Sequence, residues 1–251
     1  MTKLLVVAGT ADGAAFIAAQ PEDTQITATT FSQLGAACLP PRPGLKTVSG
    51  ALDEAGFARL IAAEQPNFLV DLSHPFAVEV SANAKAAAQS QNVPYLRYER
   101  ETAEEAGAHV IRAADFSSAV AILRDMPGSI LLTVGSKTLP QFMDLPDFHT
   151  RVYMRVLAES RILRELEELN IDPAHIFAMK GVATAELNIA LAHYCNASVI
   201  VSKDSGKAGG LDEKLAAART LGIPLLKIER PKAAGRTYAS FAALNQVIYN
   251  R

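Results

Sequence analysis

The sequence predicts an α/β fold built as two parallel-sheet domains, and three observations carry that prediction. Short apolar runs rich in strand formers, too brief for helices, end in a glycine or polar turn and give way to helical spacing. This strand–turn–helix order recurs along the chain, as βαβ units require. It is interrupted by a charged, small-residue stretch at 101–108 and then resumes. The boundary is therefore placed there, giving domains of residues 1–101 and 102–251.

Composition narrows the function classes. The 251 residues are 49% hydrophobic, ample for a core, and no run approaches the ~20 apolar residues of a membrane span. Lys3 is followed at once by a strand with no leader-like segment, so a cytoplasmic soluble protein with no membrane partner is expected. Cys38 and Cys195 share no redox or metal spacing, nor do the histidines at 74, 109, 149, 175 and 193, so no metal is expected. The net charge of −2, without a basic tail or aromatic-interleaved basic patch, argues against a nucleic-acid partner. A small anionic ligand, held by a few placed cations, remains compatible with it.

The first strand, residues 4–8, runs into Gly9-Thr10-Ala-Asp12-Gly13 and a helix. Such a turn offers backbone N–H groups and a positive helix end to a phosphate. Gly9 permits the tight turn, and Gly13 lets the helix lie close to the strand or to a ligand. The spacing lacks the full three-glycine fingerprint, and a plain strand-to-helix connection would read the same way. A second strand, residues 25–30, ends in Thr29, Thr30, Phe31 and Ser32, where a dinucleotide fold selecting NAD carries a carboxylate. Hydroxyls there, with Arg42 nearby, favour NADP; the same residues also suit a plain strand end.

A short strand at 48–50 precedes a helix at 53–64 capped by Asp53. The strand beginning at Phe68 ends in Asp71-Leu-Ser73-His74-Pro75-Phe76, and a helix follows at 78–91. Loops at the carboxyl ends of parallel strands converge on the ligand crevice, which places Ser73 and His74 near Gly9 and Thr10. His74 could donate to a phosphate, contact a nicotinamide or give a proton; it could equally order its own turn before Pro75. Residues 93–100 form a further strand carrying Arg97 and Arg100.

The second half repeats the order. Strand 109–112 precedes a helix capped by Asp115, and strand 129–133 ends in Gly135-Ser136-Lys137. Strand 151–156 leads to a helix at 160–169. Residues 176–181 lead to a helix opening near Thr184, and strand 198–202 ends in Lys203-Asp204-Ser205-Gly206. A helix at 211–220, a strand at 224–228 and a helix at 240–249 close the chain. Glycine, hydroxyl and lysine at a strand end make an anion-binding nest, so Lys137 and Lys203 are the chosen cations, with Arg155 behind them. The spacing around Gly206 is not that of a P-loop, and no nucleophile elbow is present.

These loops, in their order and spacing, resemble the precorrin-6A reductase family, which includes the cobalt-precorrin-6A reductases of cobalamin (corrin) biosynthesis. The resemblance is carried by Gly9-Thr10-Ala-Asp12-Gly13, Asp71-Leu-Ser-His74-Pro75-Phe76-Ala77 with Ser81-Ala-Asn83-Ala84, and Pro94-Tyr95-Leu96-Arg97-Tyr-Glu99-Arg100. In the second half it continues through Thr133 to Pro140, Glu186-Leu187-Asn188, and Lys203-Asp204-Ser205-Gly206 on to Glu213-Lys214. Ala8, Ser73 and the turn Gly181-Val-Ala-Thr184 depart from the family pattern.

The resemblance implies two Rossmann-like domains with a cleft between them and an NADPH-dependent oxidoreductase acting on a CH–CH group. It would reduce one ring double bond of precorrin-6A, or of its cobalt form, to give precorrin-6B. On that basis the cofactor, NADPH, is expected at Gly9, Thr10, Asp12, Gly13, Thr30, Ser32, Ser73, His74, Pro75 and Phe76. The tetrapyrrole, a corrinoid precursor rich in carboxylates, is expected at Arg97, Gly135, Ser136, Lys137, Lys203, Asp204, Ser205 and Gly206. Lys137 or His74 is the candidate proton donor, with solvent as the alternative source. A non-catalytic NADP-binding sensor would share the first half without needing the lysine–glycine loops. A methyltransferase would carry an acidic residue after the second strand.

Overall fold

The structure, a computed structural model, describes residues 1–100, 109–206, 209–233 and 235–250. The stretch read as the domain boundary, 101–108, lies outside the described residues. The chain divides into two compact units, Met1–Glu101 with Pro231–Arg251, and Thr102–Arg230. The sequence reading assigned residues 231–251 to the second domain, whereas the structure groups them with the first. The reason is local: these residues add an edge strand and an apolar helix to the first sheet.

The first unit holds β1 (Lys3–Val7), α1 (Ala11–Ala18), β2 (Gln25–Thr30), α2 (Gln33–Ala36), β3 (Leu45–Ser49), α3 (Glu54–Glu64), β4 (Phe68–Asp71), α4 (Val78–Ser90) and β5 (Tyr95–Tyr98). The second holds β6 (Val110–Ala113), α5 (Phe116–Asp125), β7 (Ser129–Leu132), α6 (Phe148–Arg151), β8 (Val152–Val156), α7 (Ser160–Glu168) and β9 (Ile176–Ala178). It continues through α8 (Ala185–Tyr194), β10 (Ala197–Lys203), α9 (Leu211–Leu221) and β11 (Leu225–Ile228). The chain then returns to the first unit as β12 (Thr237–Tyr238) and α10 (Phe241–Tyr249).

The first sheet has six strands in the order β12-β5-β4-β1-β2-β3, and the second six in the order β6-β11-β10-β7-β8-β9. Every recorded strand pairing is parallel. Read outward from its centre, each sheet follows the same rule. From β1 the next two strands, β2 and β3, lie to one side, as β8 and β9 do from β7, and the order reverses between β1 and β4 in one sheet and between β7 and β10 in the other. Those reversals are the switch points where open α/β sheets leave room for a ligand at the carboxyl ends of their strands. The outermost place beyond β5 is filled by β12, from the end of the chain, and the one beyond β11 by β6, from ahead of β7.

The alternation of a strand explains the core of the first unit. Leu4, Val6 and Ala8 point to one face, where Phe16 and Ile17 of α1 and Leu244 and Ile248 of α10 cover them. Leu5 and Val7 point to the other, against Phe57 and Ile61 of α3 and the alanines 84, 87 and 88 of α4. A strand buried on both faces reads as a continuous apolar run, which is why β1 was visible in the sequence. The helices start where capping chemistry allows: Thr10, Ser32, Asp53, Asp115, Thr184 and Ser240 each accept from an amide in the first turn.

Candidate functional site

At the β1–β4 switch point the turn after β1 is shaped by two glycines with different tasks. Gly9 has φ +96°, and a Cβ built there would meet nothing within 4 Å. It leaves open space above the turn. At Gly13 a Cβ would lie 3.1 Å from the Cα of Ala8 and 3.2 Å from its Cβ, so this glycine serves the packing of α1 on β1. Thr10 is committed on both sides: its Oγ1 accepts from the Gly13 amide at 3.0 Å and donates to the Leu72 carbonyl at 2.8 Å. That bond fastens the β1 turn to the end of β4 and brings Ser73 beside Thr10, as the sequence reading expected.

Beneath the β4 turn lies a buried polar network. The Asp71 carboxylate, fully inaccessible, pairs with Arg97 at 2.7 Å, accepts from the Tyr95 hydroxyl at 2.6 Å and from the Ser73 amide at 2.9 Å. Burial, with Asp71 alongside, raises the Tyr95 phenol far above its usual range. Arg97 also donates to Ser73 Oγ at 2.8 Å, and Ser73 Oγ lies 3.1 Å from Ser81 Oγ. Arg97, expected to meet substrate, thus holds up the turn from below; so does the Ser73 side chain. His74 is half-buried, and its Nδ1 accepts from the Phe76 amide at 3.2 Å. In the neutral ring this leaves the proton on Nε2. His74 orders its own turn, with Pro75 buried and Phe76 half-buried beside it.

The β2 end also differs from expectation. Thr30 donates to the Ser32 carbonyl at 3.1 Å and lies 3.2 Å from Ser49 Oγ, and Ser32 Oγ accepts from the Gly35 amide at 3.2 Å to cap α2. Both hydroxyls are used within the turn. A Cβ at Gly35 would approach the Gly9 Cα to 3.9 Å, so the two turns do lie side by side. Arg42, expected beside a 2′-phosphate, instead donates to the carbonyls of Ile17 at 2.8 Å, Gln20 at 3.2 Å, Pro21 at 2.7 Å and Thr24 at 3.2 Å. It closes the carboxyl end of α1, the opposite end from Gly9. Asp12, in the first turn of α1, faces Arg100 at 2.6 Å.

At the β7–β10 switch point Thr133 ties the strand ends together, its amide and Oγ1 both donating to the Val201 carbonyl at 2.9 and 2.7 Å. Gly135 repeats Gly9, with φ +82° and nothing within 4 Å of a built Cβ. Ser136–Phe142 follows as a 3-10 helix anchored by buried Leu139 and Phe142, with Ser136 half-buried and Lys137 exposed at its start. Lys203, half-buried, lies 5.4 Å over the Phe116 ring. Burial, and then the neighbouring charge of Lys137, bring its pKa down to about 8. These two lysines are the pair the sequence singled out, and the structure brings them together.

Asp204 stands apart from its expected role. It is 1% exposed and bound by Arg230 through Nε at 3.2 Å and Nη2 at 2.9 Å, with Lys227 at 4.0 Å. Its carboxylate anchors the loop to the end of β11. Ser205 Oγ donates to the Gly209 carbonyl at 3.2 Å, and the Gly209 amide to the Gly206 carbonyl at 3.0 Å, so the loop closes on itself. Lys207 lies outside the described residues.

Sequence reasoning passed over Asp71, Asn188 and Lys214 as site residues. Lys214 is 3% exposed and donates to the Gly209 carbonyl at 3.2 Å. Burial, then the nearby Arg155, lower its pKa to about 7. Arg155 donates to Asn188 Oδ1 at 2.8 Å, and Asn188 Nδ2 donates to the carbonyls of Thr184 at 2.8 Å and Ala183 at 3.2 Å. The helical spacing of Leu211, Lys214, Leu215 and Ala218 put that lysine on the apolar face, a signal legible in the sequence. Among the described residues no group of three or more His, Cys, Asp or Glu could hold a metal ion, and no helix is long and apolar enough to cross a membrane.

Residues 3–249 match the family model described as Precorrin-6x reductase CbiJ/CobK. The chain is 32% identical to the cobalt-precorrin-6A reductase of Priestia megaterium, over 99% of this chain and 98% of that one. It is also 32% identical to the protein of that name from Methanothermobacter thermautotrophicus, over 98% and 82%. With the precorrin-6A reductase of Rhodococcus erythropolis it shares 31% identity over 92% and 90%. A solved structure of CobK precorrin-6A reductase superposes with a TM-score of 0.78 at 25% identity, covering 100% of this chain and 97% of that one. The chain belongs to the precorrin-6x reductase family, oxidoreductases of cobalamin biosynthesis.

Proposed function

We propose that this protein reduces one ring double bond of precorrin-6A, or of cobalt-precorrin-6A, to the precorrin-6B level with NADPH. The observation that carries the reading is the turn at Gly9. In a chain that matches the reductase family over residues 3–249, it leaves open space at the β1–β4 switch point, beside the amides that open α1. A dinucleotide phosphate fits that space, since a first helical turn has N–H groups without intrahelical acceptors. When bound, the nicotinamide would supply hydride.

The chain's own residues divide the remaining work. Gly9 and Thr10 give the phosphate its backbone seat, Thr10 through the bonds that fix the turn. His74, Pro75 and Phe76 form the neighbouring wall, and the Nε2–H of His74 is a donor beside the cofactor. Thr30 and Ser32 shape the β2 end, which carries no carboxylate to repel a 2′-phosphate, and this supports NADPH over NADH. In the second unit Gly135, Ser136, Lys137, Lys203, Ser205 and Gly206 present charge and glycine nests suited to the substrate's carboxylates. Lys137 stands as the proton donor, with His74 as the other candidate.

The test is purified protein with NADPH and precorrin-6A, following the macrocycle's absorbance. Turnover that needs both, runs faster with NADPH than NADH, and falls strongly in Lys137→Ala is the expected result. Nicotinamide oxidation indifferent to the macrocycle would overturn the assignment. Unchanged turnover in Lys137→Ala would remove that residue as essential donor.

A further inference from the structure

We propose that Arg100 makes the Gly9 turn receptive to an anion by neutralising Asp12, acting through that carboxylate rather than by touching the ligand. The inference rests on the reading of this turn as the cofactor's phosphate seat. Asp12 is the acidic residue in the first turn of α1, where the free amides and the helix dipole make the positive end. A carboxylate there favours the helix, but it draws on the field that would attract a phosphate and repels the phosphate directly. Left alone, it would set the turn against the ligand its backbone is shaped to accept.

Arg100 answers that charge. Its Nη2 lies 2.6 Å from Asp12 Oδ2, with the two side chains 9% and 14% exposed. Water therefore screens the pair only weakly. Asp12 Oδ2 is buried and has no partner of regular hydrogen-bond geometry among the described residues, so what Arg100 brings is charge at close range. The arginine follows β5, which lies beyond β4 from β1 in the sheet, so the contact joins non-adjacent strands and is not a local helix pair. Arg100 is on this account a positioning residue for the cofactor.

The experiment measures NADPH affinity by nicotinamide fluorescence at two salt concentrations, together with thermal stability, for wild type and three variants. Arg100→Met should bind about tenfold more weakly, the loss shrinking at high salt. Asp12→Asn should bind at least as tightly as wild type, and Asp12→Asn/Arg100→Met should return to within about threefold of wild type, the rescue a contact residue would not show. A double variant as weak as Arg100→Met, or Arg100→Met indistinguishable from wild type, overturns the proposal. If Arg100→Met does not fold, the double variant against Asp12→Asn decides: equal affinity supports neutralisation, and a tenfold gap refutes it. Wild type that fails to bind NADPH would instead remove the reading of the turn itself.

Discussion

The guanidinium of Arg97 sits 2.7 Å from the carboxylate of Asp71, one strand over, with side chains 8% and 0% exposed. A pair so enclosed has lost its hydration, and removing one member leaves the other charge uncompensated. Arg97→Met should therefore lower folding stability by about 3–5 kcal/mol. Asp71→Asn/Arg97→Met should recover much of that. Urea denaturation of the three proteins checks it, and a single variant as stable as wild type would show the pair to be idle.

The two glycines of the first turn should separate binding from stability. Gly9→Ala adds a methyl in open space at positive φ, so it strains the backbone by about 1–2 kcal/mol and intrudes on the proposed phosphate seat. Cofactor affinity should fall at least about tenfold. Gly13→Ala instead presses on Ala8 and should cost about 1–3 kcal/mol of stability with a smaller loss of affinity. Thermal melts with and without NADPH distinguish the two patterns.

Arg42 gives the opposite control. Its guanidinium serves four carbonyls at the end of α1, so Arg42→Met should lose about 1–3 kcal/mol of stability. The ratio of NADPH to NADH affinity should not move. A collapse of that ratio would restore Arg42 to the 2′-phosphate site.

Lys214 predicts a pH dependence. Burial, then Arg155, lower its pKa from 10.5 to about 7 in the folded protein. Below that value both folded and unfolded states hold the proton. Between about 7 and 10.5 the unfolded chain holds more protons than the folded one, so stability rises with pH across this window. Lys203, lowered to about 8 for the same leading reason, adds in the same direction over a narrower range. Lys214→Met should flatten the rise. Urea midpoints at pH about 6.5 and 9 give the slopes, and an equal slope in the variant would count against the buried lysine as its source.

The elements were legible where burial wrote a pattern. The doubly buried β1 showed as an apolar run, and Asp53, Asp115 and Thr184 marked helix starts through their own chemistry. α2 and α6, each of 4 residues, were too short to show a period. β12, of 2 residues, takes its place from pairing with β5. At the site, the turns were visible but the fate of each charge was not. Arg42 and Asp204 sit near glycine turns in the sequence and Arg97 within a strand, yet each is consumed by partners at separations that no local spacing reveals. Asp71 did leave a trace, since a carboxylate inside an apolar strand needs a counter-charge nearby.

The sixth strand of the first sheet arrives only after the whole second unit has been made. A ribosome must reach residues 237–249 before β5 gains its neighbour and α10 can seal Phe16 and Leu4 from water. A premature stop near codon 230 would thus spare the unit just synthesised and injure the one begun long before. An expression fragment ending at residue 100 would show an open sheet edge, sticky towards other chains.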